Sequence, residues 1–526
     1  MVAANITAEN VKTTDIQMPN TMSTLQPALM WFRDDLRLRD NSALDWIAQQ
    51  GPVIAVVIEE DPETTRTREL GAAARWWWQR SVHQLKNSLA AHGVPLLYHS
   101  GDPREIIPAI VKKFGVSAVG WSRRYHEPLR ELDAEIKQML HERGVTARSF
   151  AGHLLTEPWE VLTQQGKQYQ VYTPFAKTAR TIAEDNVASY LNDANDQDPS
   201  PTSHDELGPI GLAGPGTDFP ASSPLPDWNE PDWTHTLAQH WLPGENAGWK
   251  VAEEFLDQLA AAARKQAPHY AADRDRLDKQ ATSRLSPYLR FGEISIHRLW
   301  ALVTEASDTG RIAGEDASAF LSELLWRDFA WHRLYHLPEL HRRNVRQQFD
   351  HFDWHWDETE AQRVATTYRD PRCAETTEDL PADDFRRVFS AWRAGQTGIA
   401  VVDAGMRELW ETGTMHNRVR MVVASFLTKN LGIHWRHGEA WFWDTLVDAD
   451  PASNPFNWQW AAGCGDDAAP YFRIFNPDSQ AKRFDPHYRY IRHWVPEFGT
   501  PMYPQPLVDL KESRRQALAA YDEVKN

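Results

Sequence analysis

Tryptophan, carboxylate and amide side chains are mixed in two windows that lie far apart in the chain. The first is SELLWRDFAWHR (Ser322 to Arg333), and the second is NPFNWQWAAGCGDDAAPYFRIFNP (Asn454 to Pro477). The chain has 24 Trp, and several stand beside polar residues that need a partner when they are buried. Core packing explains a lone Trp. Stacked indoles beside placed polar groups instead suit a planar aromatic ligand, a nucleobase or an electron path.

Two predicted helical faces repeat one spacing of polar and aromatic side chains. They carry residues at i, i+3 and i+4, which share one face of a helix: Glu323, Trp326 and Arg327 in the first window, and Asn417, Arg420 and Met421 in MHNRVRM. For either helix alone, satisfied polar residues at a helix–helix contact are the simpler interpretation. The two faces together with the WQW sequence favour a binding site.

Two further segments offer groups that suit an anionic or hydroxylated ligand. ATSRLSPYLRFG (Ala281 to Gly292) places hydroxyls and backbone N–H groups before a predicted helix, which can hold a phosphate or can be ordinary capping. Asp448 and Asp450 give two carboxylates just before Asn454. A metal site is not expected there, because no His or Cys stands at ligand spacing. Carboxylates that face the ring N–H groups or hydroxyls of a cofactor are the better interpretation.

The composition limits the class of protein. The 526 residues allow two or three domains, and no apolar run is long enough to span a bilayer, so we expect a soluble protein without a membrane partner. Two cysteines, Cys373 and Cys464, cannot make a disulfide framework, and a reducing cytosol follows. The net charge of −17 argues against nucleic acid when taken alone, but the field at a site depends on local charge.

The elements that must position these residues change character along the chain. Short apolar runs alternate with amphipathic segments between Pro27 and Phe150, which predicts a doubly wound parallel sheet of about five strands. A stretch rich in Pro, Gly and Ser follows, and helical periodicity dominates from Gly248 onward. We predict an α/β plus all-α fold with four parts: a disordered extension (residues 1–25), an α/β domain (26–155), a linker (156–246) and a helical domain (247–526).

Four motifs carry a specific resemblance to a known family: TSRLSPYL, ELLWRDF, MHNRVRM and WQWAAGCGDDAAPYFRIFNP. With them the chain resembles the cryptochrome/photolyase family over nearly everything after the extension, and most closely the class I enzymes that repair cyclobutane pyrimidine dimers. The resemblance implies an antenna-binding α/β domain and a helical domain that binds FAD. It implies a light-driven carbon–carbon lyase, in which excited reduced FAD lends an electron to the dimer. The expected partner is UV-damaged DNA, double or single stranded, met by a monomer in the bacterial cytosol.

The resemblance also implies the residues of the flavin pocket. The matching positions are Tyr270, Thr282, Ser283, Arg284, Leu285, Ser286, Phe320, Arg420, Asp448, Asp450 and Asn454. The first six hold the phosphates and the ribityl chain, and Asp448, paired with Arg420, faces the isoalloxazine side together with Asp450. Asn454 sits against flavin N5, where an amide can accept a hydrogen bond and favour the reduced flavin. Plant cryptochromes have Asp and animal ones Cys at this place, so Asn454 favours repair over signalling.

A second implied set lies on the side of the DNA lesion. Its members are Arg274, Glu323, Trp326, Arg327, Asn417, Arg418, Met421, Trp460 and Gln480. Trp326 and Trp460 pack on the flipped-out dimer, whose unstacking costs little because a damaged step is poorly paired. Glu323 hydrogen-bonds the pyrimidine carbonyl edge and stabilises the charge that develops there. Enzymes for (6-4) photoproducts have histidines in place of Asn417 and Met421, so (6-4) repair is not expected.

The electron supply is implied only in part. Trp458 and Trp435 match the inner and middle members of the family's tryptophan chain, but the outer position is Ala382. The residues that could replace the outer Trp are Trp354, Trp356 and Tyr368.

The second chromophore and the biological role leave alternatives open. SRRYHEPLRELD (Ser122 to Asp133) lies where the family binds an antenna, either 8-hydroxy-deazaflavin or methenyltetrahydrofolate. The competing functional hypothesis is a blue-light photoreceptor, a cryptochrome without repair activity.

Overall fold

The structure is a computed structural model that describes residues 26–194, 211–216, 219, 221–228, 230–359, 384–467 and 472–525. The predicted disordered extension lies outside the described residues, as do Tyr368 and Ala382. Within the described segments, none of the helices combines the length and the apolar character that crossing a bilayer requires.

The α/β domain is built on five parallel strands, as the alternating sequence pattern predicts. The strands are β1 (Ala28–Phe32), β2 (Val53–Glu60), β3 (Leu96–Gly101), β4 (Ala118–Ser122) and β5 (Thr146–Phe150). Their order is β3-β2-β1-β4-β5, and each neighbouring pair is parallel. The crossing helices are α1 (Ser42–Gln50), α2 (Pro62–Thr65), α3 (Ala72–Ala91), α4 (Pro103–Phe114) and α5 (Glu127–Glu142). The strand order reverses between β1 and β4, and this switch point is the usual place for a ligand in this fold.

The predicted linker is not irregular throughout. Helix α6 (Tyr172–Ala194) lies inside it and packs against a helix of the second half, Gly314–His336. Its sequence, YTPFAKTARTIAEDNVASYLNDA, has no Gly and one Pro near its start, both of which are compatible with a helix. The Pro- and Gly-rich composition that predicts a linker belongs to the residues after this helix.

The second half of the chain is helical, as predicted. The α-helices are α7 (Leu237–His240), α8 (Glu245–Ala263), α9 (Tyr270–Asp273), α10 (Ser286–Arg290), α11 (Ile296–Asp308), α12 (Gly314–His336), α13 (Phe385–Arg393), α14 (Ala400–Thr412), α15 (Asn417–Ser425), α16 (Trp435–Thr445), α17 (Ser453–Ala462), α18 (Pro477–Phe484), α19 (Arg489–Trp494) and α20 (Leu510–Val524). Short 3-10 helices span Asp232–Thr236 and Gln347–His351, and a π-helical turn spans Phe426–Asn430. Across the described residues from 230 onward, no strand of the sheet type is present.

The two domains share a hydrophobic core. One face of the sheet, including Trp31 and Trp121, packs with α4 and α5 in a core of its own. The opposite face, including Met30 and Phe32, joins a cluster that continues into the helical domain. The α/β domain is therefore fixed against the helical half by apolar burial, and neither domain is a free module.

Buried carboxylates reinforce this contact between the domains. Glu293 accepts hydrogen bonds from the indole Nε1 of Trp77 at 3.0 Å and from the hydroxyl of Ser81 at 2.5 Å. Burial raises the pKa of Glu293 to about 8, although these hydrogen bonds lower it. Burial likewise raises the pKa of Asp444, which caps the start of α3, to about 7. These acids make domain contact sensitive to pH.

Candidate functional site

Asp448 connects three elements of the helical domain. Its carboxylate accepts from the hydroxyl of Ser286 at 2.6 Å and from the two terminal nitrogens of Arg420 at 3.2 and 3.0 Å. The Arg420 Nε also donates to the carbonyl of Met415 at 2.8 Å. The expected pairing of Arg420 with Asp448 is therefore present, and it joins α10 and α15 to the loop before α17. A carboxylate held by an Arg and a hydroxyl is fixed as an acceptor.

Asp450 is buried and lies three residues before α17, which begins at Ser453. Its Oδ1 accepts from the backbone N–H groups of Ala452 at 2.8 Å and Ser453 at 2.6 Å. This capping fixes the entry of the helix that carries Asn454 and Trp458, so the DAD sequence positions the WQW window. The loop that contains Ser283 and Arg284 lies opposite, and Arg284 has a left-handed backbone with φ +57°.

The hydroxyl loop exposes part of its polar groups. Thr282 and Ser286 are exposed and Ser283 is half-buried, whereas Leu285 is buried. The Arg284 guanidinium turns away, since it donates to the carbonyl of His240 at 3.2 Å and lies 4.3 Å from the Trp241 ring. Arg284 therefore contributes its backbone shape to this loop. Together with Asp448 and Asp450, the loop offers hydroxyl donors and carboxylate acceptors, which is the donor set that a diphosphate and a polyol chain require.

Asn454 is fixed by a residue that the sequence did not single out. Its Nδ2 donates to the backbone carbonyl of Glu439 at 3.0 Å and to the Glu439 Oε1 at 2.8 Å. The two acceptors determine which way the amide is turned, a choice that shape alone leaves open. The Oδ1 of Asn454 therefore faces away from Glu439 and is the atom offered to a ligand. Asn454 is 7% exposed, so the offered oxygen lies in a nearly dry environment.

Glu323 and Arg274 form an ion pair above a buried aromatic floor. The pair joins α12 to the residue that ends α9, and both side chains are about one-third exposed, at 32% and 34%. The Arg274 guanidinium lies 5.7 Å from the Tyr270 ring. Tyr270 in turn packs against Phe320, with 5.8 Å between ring centroids. The ion pair is open to a ligand from one side, whereas Phe320 and Tyr270 are buried beneath it.

The face shared by Glu323, Trp326 and Arg327 divides in the structure. Trp326 is half-buried and stacks on Tyr172 of α6. Arg327 instead reaches into the contact between the domains, where it donates to the carbonyls of His153 at 2.7 Å and Leu289 at 3.2 Å. Its side chain is 13% exposed. The spacing therefore brings Glu323 and Trp326 towards a ligand side but not Arg327, because a helix of this length contacts a different neighbour on each flank.

The remaining predicted lesion-side residues lie at the surface of α15, α17 and α18. Asn417 is exposed, and Arg418, Met421, Trp460 and Gln480 are half-buried. Arg418 pairs with Asp275, and its guanidinium lies 4.7 Å from the Phe484 ring. The Oε1 of Gln480 is buried and has no protein partner.

Two groups of aromatic rings lie at α16 and α17: Trp458 contacts Trp392 and Phe442, and Trp435 contacts His434. Trp458 is 2% exposed and lies against α16, where a Cβ on Gly438 would come within 2.1 Å of its ring. Glycine is needed there because the two helices approach so closely. Trp435 is fully buried and donates from Nε1 to Asn344 Oδ1 at 2.8 Å. The ring of His434 lies 5.6 Å from the ring of Trp435.

Two of the three candidates for the outer tryptophan of the electron path lie beside His434, which contacts Trp435. The rings of Trp354 and Trp356 are each 5.0 Å from the ring of His434. Trp354 is 8% exposed, whereas Trp356 is half-buried and has Arg436 at 4.5 Å over its ring. Trp356 is thus the better placed to exchange an electron with solvent.

The predicted antenna segment lies at the contact between the domains. His126 precedes α5, and its ring is 6.1 Å from that of His341 in the helical domain. Burial lowers the pKa of His341 to about 3, with further lowering by His126, Arg342, Arg68 and Arg436. His126 is kept neutral by burial as well, so the cations beside the two rings are Arg342, Arg68 and Arg436, whose charge favours an anionic ligand. This positive charge suits the carboxylate of a folate and the phosphate of a deazaflavin equally.

Four residues with apparent roles were missed in the sequence. They are Arg68, Tyr172, Asp275 and Glu439. Glu439 gave one usable signal, because a carboxylate inside the apolar helix WRHGEAWFWDT needs a partner. The others gave none, since Arg68 reaches a partner 371 positions away and Tyr172 one 154 positions away. No cluster of three or more His, Cys, Asp or Glu suited to a metal ion occurs in the part of the chain that the structure describes.

Known proteins are similar to the chain over most of its length. Residues 28–195 match the family model described as DNA photolyase, and residues 320–501 match the FAD binding domain of DNA photolyase. A deoxyribodipyrimidine photo-lyase of Agrobacterium fabrum is 39% identical over 95% of this chain and 98% of its own length. Cryptochrome-1 of Arabidopsis thaliana is 32% identical over 90% of this chain and 63% of its own length. The crystal structure of a bacterial class III photolyase from Agrobacterium tumefaciens matches with a TM-score of 0.79 and 38% identity, covering 97% of this chain and 100% of that one.

Proposed function

We propose a function on the premise that the chain belongs to the DNA photolyase and cryptochrome family, in which both family models and a near full-length relative place it. The proposed activity is that of a deoxyribodipyrimidine photo-lyase, which splits cyclobutane pyrimidine dimers in UV-damaged DNA under blue light. When bound, FAD supplies the light-driven transfer of one electron to the dimer. The substrate DNA is double or single stranded, and the protein acts as a monomer in the cytosol.

The observation that carries this proposal is the fixed amide of Asn454. The Asn454 amide nitrogen donates both of its hydrogen bonds to Glu439, to the backbone carbonyl at 3.0 Å and to Oε1 at 2.8 Å. The amide oxygen is therefore left for a ligand. An oxygen acceptor in this nearly dry place stabilises a protonated ring nitrogen, the form that a reduced flavin offers. An acid or a thiol at this position, as in the plant and animal cryptochromes that the motifs resemble, would titrate or donate instead. Asn454 thus supports repair over signalling.

The chain's own groups account for the remaining steps. Asp448 and Asp450 orient the cofactor as fixed acceptors, and the exposed hydroxyls of the 282–286 loop hold its phosphates. Trp326 and Trp460 provide apolar surfaces for the flipped-out dimer, since contact with an aromatic face is tolerant of sequence. The carboxyl group of Glu323, freed from Arg274 when the latter meets a phosphate, is placed to hydrogen-bond the pyrimidine edge.

The subclass is proposed from similarity. The motifs of the sequence predicted class I, but the Agrobacterium tumefaciens structure, which is matched along its entire length, is a class III photolyase. We therefore favour class III. An antenna chromophore is proposed at the contact between His126 and His341, either a folate or a deazaflavin.

Survival of UV-irradiated bacteria tests the function in cells. Bacteria without a photolyase, carrying the chain on a plasmid, are irradiated and then kept in blue light or in darkness. Light-dependent survival with this chain, reduced in Glu323→Ala, is the expected result. Equal survival in light and darkness contradicts the repair function and favours the photoreceptor.

A further inference from the structure

A short segment of the α/β domain docks on α16 of the helical domain. It spans residues 68–72, and we refer to it as the docking segment. A Cβ on Gly71 would lie 2.0 Å from the backbone oxygen of Trp443, so the two backbones are in direct contact. The indole Nε1 of Trp443 donates to the carbonyl of Glu69 at 2.8 Å. Such a contact leaves little freedom for the side chains at its edge.

Arg68 is the charged member of the docking segment. One terminal nitrogen donates to Glu439 Oε1 at 3.0 Å and to Oε2 at 2.9 Å, and the guanidinium carbon lies 4.6 Å from the Trp443 ring. The Glu439 side chain is 4% exposed, whereas that of Arg68 is 34% exposed. A nearly dry carboxylate thus receives its cation from the other domain.

Glu439 uses the same carboxylate to hold Asn454. Its Oε1 accepts from both Arg68 and Asn454, at 3.0 and 2.8 Å, and its backbone carbonyl accepts from the same Asn454 amide. The order of contacts is therefore Arg68, Glu439, Asn454. A charge-assisted network of this kind holds its members in one arrangement, and the loss of one member frees the next.

We propose that Arg68 is a positioning residue for the flavin-side amide, acting through Glu439, so that the α/β domain helps to set the redox stability of the bound flavin. The proposal rests on the proposed function in one respect, because it requires FAD beside Asn454. Without Arg68, the buried Glu439 carboxylate loses the cation that hydrogen-bonds it and must recruit water or rotate. Either change weakens its grip on the Asn454 amide, whose oxygen is then less steadily offered to a reduced flavin.

The test compares Arg68→Gln with a matched control, Arg80→Gln. Arg80 lies in the same domain, is also 34% exposed, pairs with Glu230 and lies 4.3 Å from the Trp76 ring, but it touches neither Glu439 nor Asn454. Each purified variant is loaded with FAD and reduced in the absence of air. The midpoint potential of the flavin and its oxidation rate on admission of air are then measured, with thermal unfolding recorded beside them.

We expect Arg68→Gln to retain FAD, to lower the midpoint potential and to oxidise about tenfold faster, which corresponds to one weakened hydrogen bond to a charged network. Arg80→Gln should match the wild type in both. Glu439→Gln should reproduce the change, and adding Arg68→Gln to it should add little, because the two act in one line. Arg68→Lys, which keeps the charge, should restore part of the difference.

A potential and oxidation rate that are unchanged in Arg68→Gln overturn the inference, even if unfolding occurs at a lower temperature, since Arg68 then only docks the domains. If Arg68→Gln does not fold, Arg68→Lys decides: values equal to those of Arg80→Gln overturn the inference, and values between those of Arg80→Gln and Glu439→Gln support it. Failure of the proposed function is distinguishable, because the wild type itself would then bind no FAD or repair no dimer.

Discussion

The phenol ring of Tyr172 lies flat on the indole of Trp326, with 3.5 Å between centroids and 7° between planes. The Tyr172 hydroxyl also contacts the carbonyl of Ser322 at 2.9 Å and its hydroxyl at 2.6 Å. The stack thus joins the start of α6 to α12 and occupies one face of Trp326. Phe456 of α17 is a further neighbour, with 6.4 Å between its ring centroid and that of Trp326. Tyr172 therefore holds the Trp326 ring in place.

Replacing Tyr172 should weaken recognition of the lesion more than binding of DNA in general. In Tyr172→Ala the indole of Trp326 loses its support, so its stacking on a flipped dimer should weaken by roughly tenfold, at the lower end of what base–aromatic stacking contributes. Tyr172→Phe keeps the ring and should retain most of the affinity. Fluorescence anisotropy with dimer-containing and undamaged oligonucleotides measures the ratio. Tighter lesion binding by Tyr172→Ala would show instead that Tyr172 blocks the site.

The Arg274–Glu323 pair makes two variants interdependent. Arg274→Ala should weaken binding of any DNA and reduce the salt dependence by roughly one phosphate contact. Glu323→Ala should lower the repair yield with little change in lesion binding, because its effect is on the state after electron arrival. The double variant should bind DNA better than Arg274→Ala, since Glu323 is then no longer an unpaired carboxylate facing phosphates. Additive losses of binding in the double variant would contradict the pairing.

Trp458 should be needed only for the photoreduction of oxidised flavin and not for repair itself. Trp458→Phe is expected to block photoreduction of oxidised FAD, yet to repair normally when the flavin is supplied in the reduced form. Trp356→Phe should slow photoreduction more than Trp354→Phe, because Trp356 is the more exposed of the two rings beside His434. Absorbance at the flavin band during illumination with a reductant follows both. Normal photoreduction by Trp458→Phe would mean another route.

Domain contact should respond to pH through Asp444. Burial raises the pKa of this carboxyl from 3.8 to about 7, so the folded protein holds a proton that the unfolded chain releases between these values. Stability should therefore fall as pH rises through this window. Asp444→Asn keeps the oxygen that accepts from Ala72 at 2.7 Å but cannot ionise, so its melting temperature relative to the wild type should rise from pH 5 to pH 8.

The control for that experiment is Asp257→Asn, whose carboxylate is 74% exposed in a surface ion pair. Its melting temperature should follow the wild type at every pH. A difference between Asp444→Asn and the wild type that does not change with pH would remove Asp444 as the titrating group.

The sequence predicted the features that depend on residues close together in the chain. The five strands and the helical second half follow from apolar periodicity. Contacts between residues far apart in the chain could not be predicted from the sequence. Arg68 meets Glu439 and Tyr172 meets Trp326 only because the docking segment and α6 fold back on the helical domain. Arg327 was assigned to the ligand side by its spacing, but helical spacing does not say which flank a neighbouring domain covers.

Repair of a defined lesion in blue light tests the central claim most directly. An oligonucleotide with one cyclobutane thymine dimer is mixed with purified protein that carries reduced FAD, and half of the sample is illuminated. Chromatography of the digested DNA should show the dimer converted to two thymines in the light alone, with a (6-4) photoproduct unchanged. A dimer that persists in the light, with FAD bound and reduced, would contradict the account.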